Sequence, residues 1–224
     1  MKRRNVVFII AAIIILDQAL KIWIKTSFPF GLVKKVMGQE WFQLYFIENP
    51  GMAWGWKLGG DWGKIILTLF RLAAVIFGTW YIGRIVKQHY HKGFIVCAAL
   101  IYAGALGNLL DSMFYGLLFS KSEYSTVATM FPHGGGYAGF LHGEVVDMLY
   151  FPLIDSTFPT WMPLWGGERF VFFSPIFNVA DASISIGVIT LLIFQRKFFK
   201  KHNADTNFPV VETSTKVNDE VQVS

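Results

Sequence analysis

The chain has 224 residues, of which 54% are apolar and only 16% are charged, whereas soluble domains carry about 25% charged residues. Its formal net charge is +5, but the basic residues flank apolar runs and do not form the continuous stripe of a nucleic-acid-binding protein. The single cysteine, Cys97, excludes an intramolecular disulfide framework and any metal site built from several cysteines. Composition therefore indicates a membrane protein.

Four apolar stretches are long enough to cross a bilayer as helices, which takes about 20 residues each. They are predicted at about 5–25, 62–86, 93–115 and 176–199. The first could instead be a cleavable signal peptide, but its apolar run is too long and no small-residue cleavage site follows it. The sequence thus predicts an all-α membrane protein with four transmembrane helices, in a single domain over 1–201.

The distribution of lysine and arginine predicts the orientation of these spans, because basic segments stay in the cytoplasm. Ten basic residues lie before the first span, between the second and third, and after the fourth: Lys2, Arg3, Arg4, Arg84, Lys87, Lys92, Arg196, Lys197, Lys200 and Lys201. Both termini are therefore expected to be cytoplasmic. The polar tail, 202–224, is expected to be a disordered cytoplasmic segment.

The two loops at about 27–61 and 116–175 are then expected on the extracytoplasmic side of the membrane. Each contains a strand-like aromatic run, at 41–47 and at 169–173, which predicts a small extracytoplasmic β-sheet. Because Trp, Tyr and Phe are dense in these loops, we expect them to rest at the level of the lipid headgroups.

Polar side chains recur within the spans, where they are costly and usually mark a functional site or a paired structural contact. At 1.5 Å per residue, six of them lie within about 15 Å of the outer end of their helices. They come from three spans and are Asp17, Lys21, Asn108, Asp111, Asn178 and Asp181. This common layer predicts a site beneath the extracytoplasmic surface.

Several of these residues also have a purely structural explanation. Asp17 and Lys21 are four residues apart and more often form an intrahelical ion pair than take part in chemistry. Asn108 could bridge helices or contact a substrate. Arg71, in the second span, could pair with a carboxylate or line a polar cavity. Asp181 has no cation within one helical turn, which favours a functional role.

Five short blocks, in order along the chain, carry a family resemblance. They are D-Q-A-L-K at 17–21, E-N-P-G-M-A-W-G at 48–55, G-N-L-L-D at 107–111, G-E-V-V-D at 143–147 and F-N-V-A-D at 177–181. Together with four spans, they resemble the lipoprotein signal peptidases (signal peptidase II), which are membrane-embedded aspartic proteases. No single block is specific, and the resemblance depends on their number and order.

The resemblance implies an aspartic endopeptidase of the bacterial inner membrane with its active site near the extracytoplasmic face. It would remove the signal peptide from diacylglyceryl-modified prolipoproteins, cleaving just before the lipid-modified Cys. Asp147 and Asp181 match the catalytic pair of the family. The remaining matches are Asn49, Asn108 and Asn178 for substrate contact, and Asp17, Lys21 and Asp111 for a supporting polar shell.

The chain departs from the family pattern beside these carboxylates. Ser112 stands where the family usually has Arg, so the charge partner of Asp111 is missing or supplied elsewhere. Residues 117–142 are an insertion relative to the shorter members, and its role is open. Three further departures occur within the blocks: Trp54, Met148 and Ala182.

Two adjacent carboxylates share a proton, so one can activate water while the other protonates the carbonyl oxygen, with no cofactor or metal. His133 and His142 lack the helical H-E-x-x-H spacing and are weak evidence for zinc.

A proton-coupled transporter is an alternative, although the chain shows no repeat and its acids lie toward one side. A non-catalytic scaffold would not explain the common layer. The expected partners are prolipoproteins and membrane lipid, not nucleic acid, with the protein as a monomer.

Overall fold

The computed structural model describes residues 1–50, 60–172 and 174–199. Within them, four helical segments are long and apolar enough to cross a membrane: Arg3–Ser27, Gly63–Lys87, Lys92–Leu118 and Val179–Phe199. The prediction of four membrane helices is therefore confirmed. The expected tail at 202–224, residues 51–55 of the second block and Phe173 lie outside the described residues.

Five helices are labelled in chain order. They are α1 (Arg3–Ser27), α2 (Gly60–Lys87), α3 (Lys92–Leu110), the short α4 (Gly116–Leu118) and α5 (Val179–Phe199). A π-helical turn, Asp111–Tyr115, joins α3 to α4, so that the two continue as one span.

Helix α3 is the central helix and packs against α1, α2 and α5. Half of its most apolar segment is buried, against 17% or less for the other three spans. The outer helices instead expose large apolar side chains on the outside of the bundle, such as Phe8, Phe70 and Ile193. This difference is expected when one helix is surrounded by protein and the others face hydrocarbon on one side.

Six short strands lie in the loops on one side of the bundle. They are β1 (Val33–Lys35), β2 (Gln43–Asn49), β3 (Val145–Tyr150), β4 (Ile154–Thr157), β5 (Arg169–Phe172) and β6 (Ile176–Phe177). An antiparallel sheet has the order β1-β2-β3-β6, and β4 pairs with β5 separately. The two predicted aromatic runs, at 41–47 and 169–173, overlap β2 and β5, but these strands belong to different sheets.

The predicted start of the fourth span at residue 176 was wrong. Ile176 and Phe177 pair with β3 as an edge strand, and α5 begins at Val179. The helix starts there because Asn178 and Asp181 cap it reciprocally. The Asp181 N–H donates to Asn178 Oδ1 at 2.8 Å, and the Asn178 N–H donates to Asp181 Oδ2 at 3.3 Å.

The sheet rests on the ends of α1 and α3 through an apolar cluster. This core joins both helices, the two central strands and the start of the insertion, and comprises Ile24, Phe28, Phe46, Tyr115, Phe119, Val146 and Met148. Burial of these large side chains fixes β3 directly above the polar layer of the bundle.

Candidate active site

A buried ammonium group lies at the centre of the polar layer. The Nζ of Lys21 is 2.9 Å from Asp17 Oδ2 and 2.7 Å from Asp111 Oδ2, and it donates to Asn108 Oδ1 at 2.9 Å. Lys21 is fully buried, and a buried charge requires such partners. The predicted pair of Asp17 with Lys21 is confirmed. Lys21 also supplies the charge partner of Asp111 that Ser112 does not.

The contact with Lys21 fixes the orientation of the Asn108 amide. A lysine ammonium group can only donate, so the atom of Asn108 that faces it is the oxygen. The amide nitrogen then points the other way and donates to Asp181 Oδ1 at 2.7 Å. Asn108 therefore connects the buried ammonium group to Asp181 through a single side chain.

Asn178 contacts both carboxylates of the predicted pair. Its Nδ2 donates to Asp147 Oδ1 at 2.7 Å, while its backbone N–H donates to Asp181 Oδ2. The Nδ2 of Asn49 lies 3.4 Å from the other oxygen of Asp147. The structure thus brings Asp147, Asp181 and the three predicted asparagines into one hydrogen-bonded network.

The ionisation of Asp147 is shifted strongly. Its side chain is buried in β3, and this burial, followed by the negative charge of Asp181, raises the pKa of Asp147 to about 7. Lys21 and the amides of Asn178 and Asn49 oppose the shift. A carboxyl group with this pKa is substantially protonated at neutral pH, as one member of a proton-sharing pair must be.

Two glycines of the sequence blocks allow the backbone to approach closely. A Cβ at Gly107 would lie 2.9 Å from Asp17 Oδ2, and a Cβ at Gly143 would lie 2.0 Å from the carbonyl oxygen of Asp111. The Gly143 N–H also donates to the Ser112 carbonyl oxygen at 2.9 Å. The segment leading into β3 therefore lies directly on the end of the third span.

Sequence reasoning gave no role to Gln18, although it belongs to the first block. Its Nε2 donates to Asp111 Oδ1 at 2.8 Å, and its Oε1 accepts from the Tyr115 hydroxyl at 3.1 Å. Arg71, whose partner was left open, donates from Nη1 to Ser112 Oγ at 3.0 Å. The position of Gln18 inside the first sequence block could have indicated that it belongs to the polar layer, whereas nothing in the sequence linked Arg71 to Ser112.

A second buried charge lies on the opposite face of the sheet. Neighbouring side chains in a strand point to opposite faces, so Glu48 points away from Asn49 and Asp147. Lys25, which is fully buried, forms an ion pair with Glu48 and donates to Ser122 Oγ at 2.8 Å. Burial raises the pKa of Glu48, and the charge of Lys25 opposes this rise.

The insertion, 117–142, packs against this second charge. The Nζ of Lys25 lies 5.5 Å from the ring centroid of Phe119 and 5.0 Å from that of Tyr137. The hydroxyl of Tyr137 also accepts from the Glu144 N–H at 2.7 Å, just before β3 begins. The insertion therefore contacts both β2 and the start of β3 from behind.

Comparison with known proteins decides which family this geometry belongs to. The family model for signal peptidase (SPase) II, the A8 peptidases, matches residues 9–197. The chain belongs to the signal peptidase II family. The lipoprotein signal peptidase of Porphyromonas gingivalis is 48% identical over 186 residues, covering 83% of this chain and 80% of that protein. That of Amoebophilus asiaticus is 32% identical, covering 82% and 74% respectively.

Solved structures share the fold of this peptidase. Two of them, each described as a bacterial membrane enzyme structure obtained by the in meso method, superpose with TM-scores of 0.56 and 0.53. The first is 24% identical and covers 90% of this chain and 93% of its own; the second is 25% identical and covers 87% and 94%. Membership of the family makes the protein an aspartic peptidase, and its four spans are those of a multi-pass membrane protein.

Proposed function

We propose that this peptidase removes the signal peptide from diacylglyceryl-modified prolipoproteins by hydrolysing the peptide bond just before the lipid-modified Cys. Its membership of the signal peptidase II family, and relatives named lipoprotein signal peptidase, support this function. The observation that carries it is the pair of aspartates, Asp147 and Asp181, linked through Asn178 at the junction of sheet and bundle.

In the proposed mechanism, Asp147 and Asp181 share one proton. Asp147 is buried with a raised pKa and holds the proton, whereas Asp181 is partly exposed and accepts two hydrogen bonds. Asp181 takes a proton from water as the water oxygen attacks the scissile carbonyl, and Asp147 protonates the carbonyl oxygen. When the carbon–nitrogen bond breaks, the proton held by Asp181 passes to the leaving amine, and a hydroxyl proton of the tetrahedral intermediate returns to Asp147, which forms the carboxyl product and restores the single shared proton.

Two of the three asparagines hold the catalytic acids in place, and the third is available to bind the substrate. The amide groups of Asn108 and Asn178 hold the carboxylates in place, while their other atoms face the lysine and the helix start. Asn49 lies at a longer distance from Asp147 and can turn its amide toward a peptide carbonyl. The supporting shell of Asp17, Lys21 and Asp111 keeps Asn108 in its orientation.

We further propose that the peptidase lies in the bacterial inner membrane as a monomer, with both termini in the cytoplasm. The basic ends of α2 and α5, with Arg84, Lys87, Arg196 and Lys197, support this orientation. The aspartates then lie near the extracytoplasmic face, where the lipid of a tethered substrate enters the outer leaflet.

The test is to replace each aspartate with asparagine, which keeps size and polarity but cannot carry the proton. Asp147→Asn and Asp181→Asn should each lower cleavage of a purified lipidated prolipoprotein by about 10²–10⁴-fold, since each removes an acid–base step. Both variants should still insert and bind the lipidated substrate. The double variant should be scarcely slower than either single one, because the pair acts as a unit.

Asp17→Asn serves as the matched control within the same polar layer. It should lower thermal stability in detergent more than turnover, because Asp17 pairs with Lys21 and not with the reacting acids. Near-normal cleavage by either Asp147→Asn or Asp181→Asn would contradict the catalytic pair.

A further inference from the structure

Arg71 enters the polar layer from helix α2. Its position is 11 residues after Gly60, so it lies about 16 Å along the helix from that end. A guanidinium group at this depth is costly in hydrocarbon and is expected to face protein or water. Its Nη1 donates to the hydroxyl of Ser112, whose residue is only 2% exposed.

The hydroxyl of Ser112 is oriented to receive this guanidinium. It donates its own hydrogen to the Asn108 carbonyl oxygen at 3.1 Å, which leaves its lone pairs for Arg71. Ser112 follows Asp111 directly, at the position where the family pattern has Arg. Position 112 on the third span thus supplies a hydrogen-bond acceptor, and the guanidinium group comes from Arg71 on the second span.

One face of α2 is turned toward the protein over its first four turns. Its members recur every three or four residues, at Lys64, Thr68, Arg71 and Val75, and the exposed Thr79 continues the same series. Thr68 is 2% exposed, whereas Phe70, on the other side, is 70% exposed. The other polar members also contact neighbouring elements: Lys64 with Glu144 at 3.4 Å, Thr68 with the Leu141 carbonyl at 3.3 Å, and Thr79 with the Tyr102 hydroxyl at 2.8 Å.

The charges of the site explain why a second cation is needed. The polar layer contains the carboxylates of Asp17, Asp111, Asp147 and Asp181. Lys21 contacts the first two, whereas the reacting pair accepts hydrogen bonds from asparagine side chains and backbone. The guanidinium of Arg71 is close enough to interact electrostatically with Asp181, Asp111 and Asp147. If the pair shares one proton, three negative charges face the single positive charge of Lys21.

We propose that Arg71 is the charge-compensating residue of the catalytic pair, delivered from α2 and positioned by the hydroxyl of Ser112. The inference rests on the proposed function. Arg71 is a positioning residue in this scheme, because its electrostatic field sets the pH range in which the pair carries one proton.

The decisive measurement is the pH profile of kcat/KM for lipidated prolipoprotein in detergent. Arg71→Met removes the charge and keeps the length of the side chain. Loss of a nearby cation makes carboxyl groups harder to ionise, by about 1 pH unit or more. The whole profile should therefore move to higher pH, and the rate on its acidic side should fall about tenfold or more. Arg71→Lys, which keeps the charge, should retain the wild-type profile.

Thr79→Val is the matched control, because it removes a polar contact from the same face of α2 two turns away. It should change thermal stability without moving the pH profile. A wild-type profile in Arg71→Met would overturn the proposal, as would a shifted profile in Arg71→Lys. Should Arg71→Met fail to fold, Arg71→Gln takes its place, because it also removes the charge but keeps a donor for Ser112, and a wild-type profile in Arg71→Gln would equally overturn the proposal.

The two proposals fail in different ways. If the catalytic pair is wrongly assigned, Asp147→Asn cleaves normally whatever Arg71 does. If only the inference about Arg71 is wrong, Asp147→Asn is inactive and Arg71→Met keeps the wild-type pH profile.

Discussion

Asn178 starts a helix and positions two carboxylates with the same few atoms. Its Oδ1 accepts from the first turn of α5, its Nδ2 donates to Asp147, and its N–H donates to Asp181. Asp181 lies in the first helical turn, where the helix macrodipole also favours a negative charge. The local signal that begins the fourth span is thus also the link between the two acids.

The shifted ionisation of Asp147 predicts a dependence of stability on pH. Because the pKa of Asp147 is raised to about 7 in the folded state, the folded protein binds this proton more tightly than the unfolded chain does. This contribution to stability is fully present below the ordinary pKa of about 4 and is lost as the pH rises through 7. The free energy of unfolding of Asp147→Asn, measured relative to wild type, should therefore be higher at pH 8 than at pH 4 by about a few kcal/mol.

Thermal unfolding in detergent at pH 4, 6 and 8 would measure this difference. Glu40→Gln is a suitable control, since its carboxylate is 77% exposed and its replacement should have the same small effect at each pH. A difference between Asp147→Asn and wild type that does not change with pH would contradict the raised pKa.

At the scale of elements, the sheet is held from two sides. Its front face carries Asn49 and Asp147, and its back face carries Glu48 against the buried Lys25 and the insertion at 117–142. A buried ion pair contributes little net stability compared with apolar residues, but removal of one partner leaves a charge without compensation. The two partners should therefore tolerate joint replacement better than single replacement.

A double-mutant cycle at this pair tests the role of the back face. Glu48→Gln leaves the ammonium of Lys25 buried and should cost about 3–5 kcal/mol of stability. Lys25→Met should cost less as the pH falls, because burial raises the pKa of Glu48 and favours its protonated form. The double variant should recover much of the loss, as seen in the unfolding temperature.

The exposed pair of Lys35 and Glu40 supplies the control for this cycle. Its side chains are 51% and 77% exposed, and its removal should cost about 0–1 kcal/mol. If Glu48→Gln were as mild as Glu40→Gln, the insertion would not support the sheet through this charge.

The four spans could be predicted because hydropathy is a local property of about 20 residues. The strand β3, which carries Asp147, was not predicted. Its first four residues, Val145 to Met148, are all buried, so the strand lacks the alternation of apolar and polar residues by which half-buried strands are recognised. The early start assigned to the fourth span came from an apolar Ile176 and Phe177, which the sheet uses instead.

Six residues of the polar layer could be grouped by depth alone, and the structure unites them. The contacts that sequence reasoning missed join residues with no periodic relation. Lys25 and Ser122 are 97 residues apart, and Arg71 and Ser112 are 41 apart. Such pairs depend on how the helices and the insertion pack, which periodicity along one element does not reveal.

At the scale of the whole molecule, the sheet and the basic helix ends lie at opposite ends of the bundle. The orientation predicts that reporter fusions at Gln88 and Asn203 are cytoplasmic, whereas fusions at Gly59 and Gly135 are external. Paired alkaline phosphatase and fluorescent protein fusions at the four positions would measure this. An external signal at Gln88 would invert the orientation and place the acids near the cytoplasmic surface.

The direct passage from β6 into α5 has a mechanical consequence. Only Asn178 separates the edge strand from the helix, and β6 is hydrogen-bonded to the strand that carries Asp147. Both acids are therefore tied to the same short piece of backbone, Asp181 through the first turn of α5 and Asp147 through the pairing of β3 with β6. Separating the two carboxylates would require breaking this pairing or bending the chain at Asn178, so the backbone itself restrains their spacing.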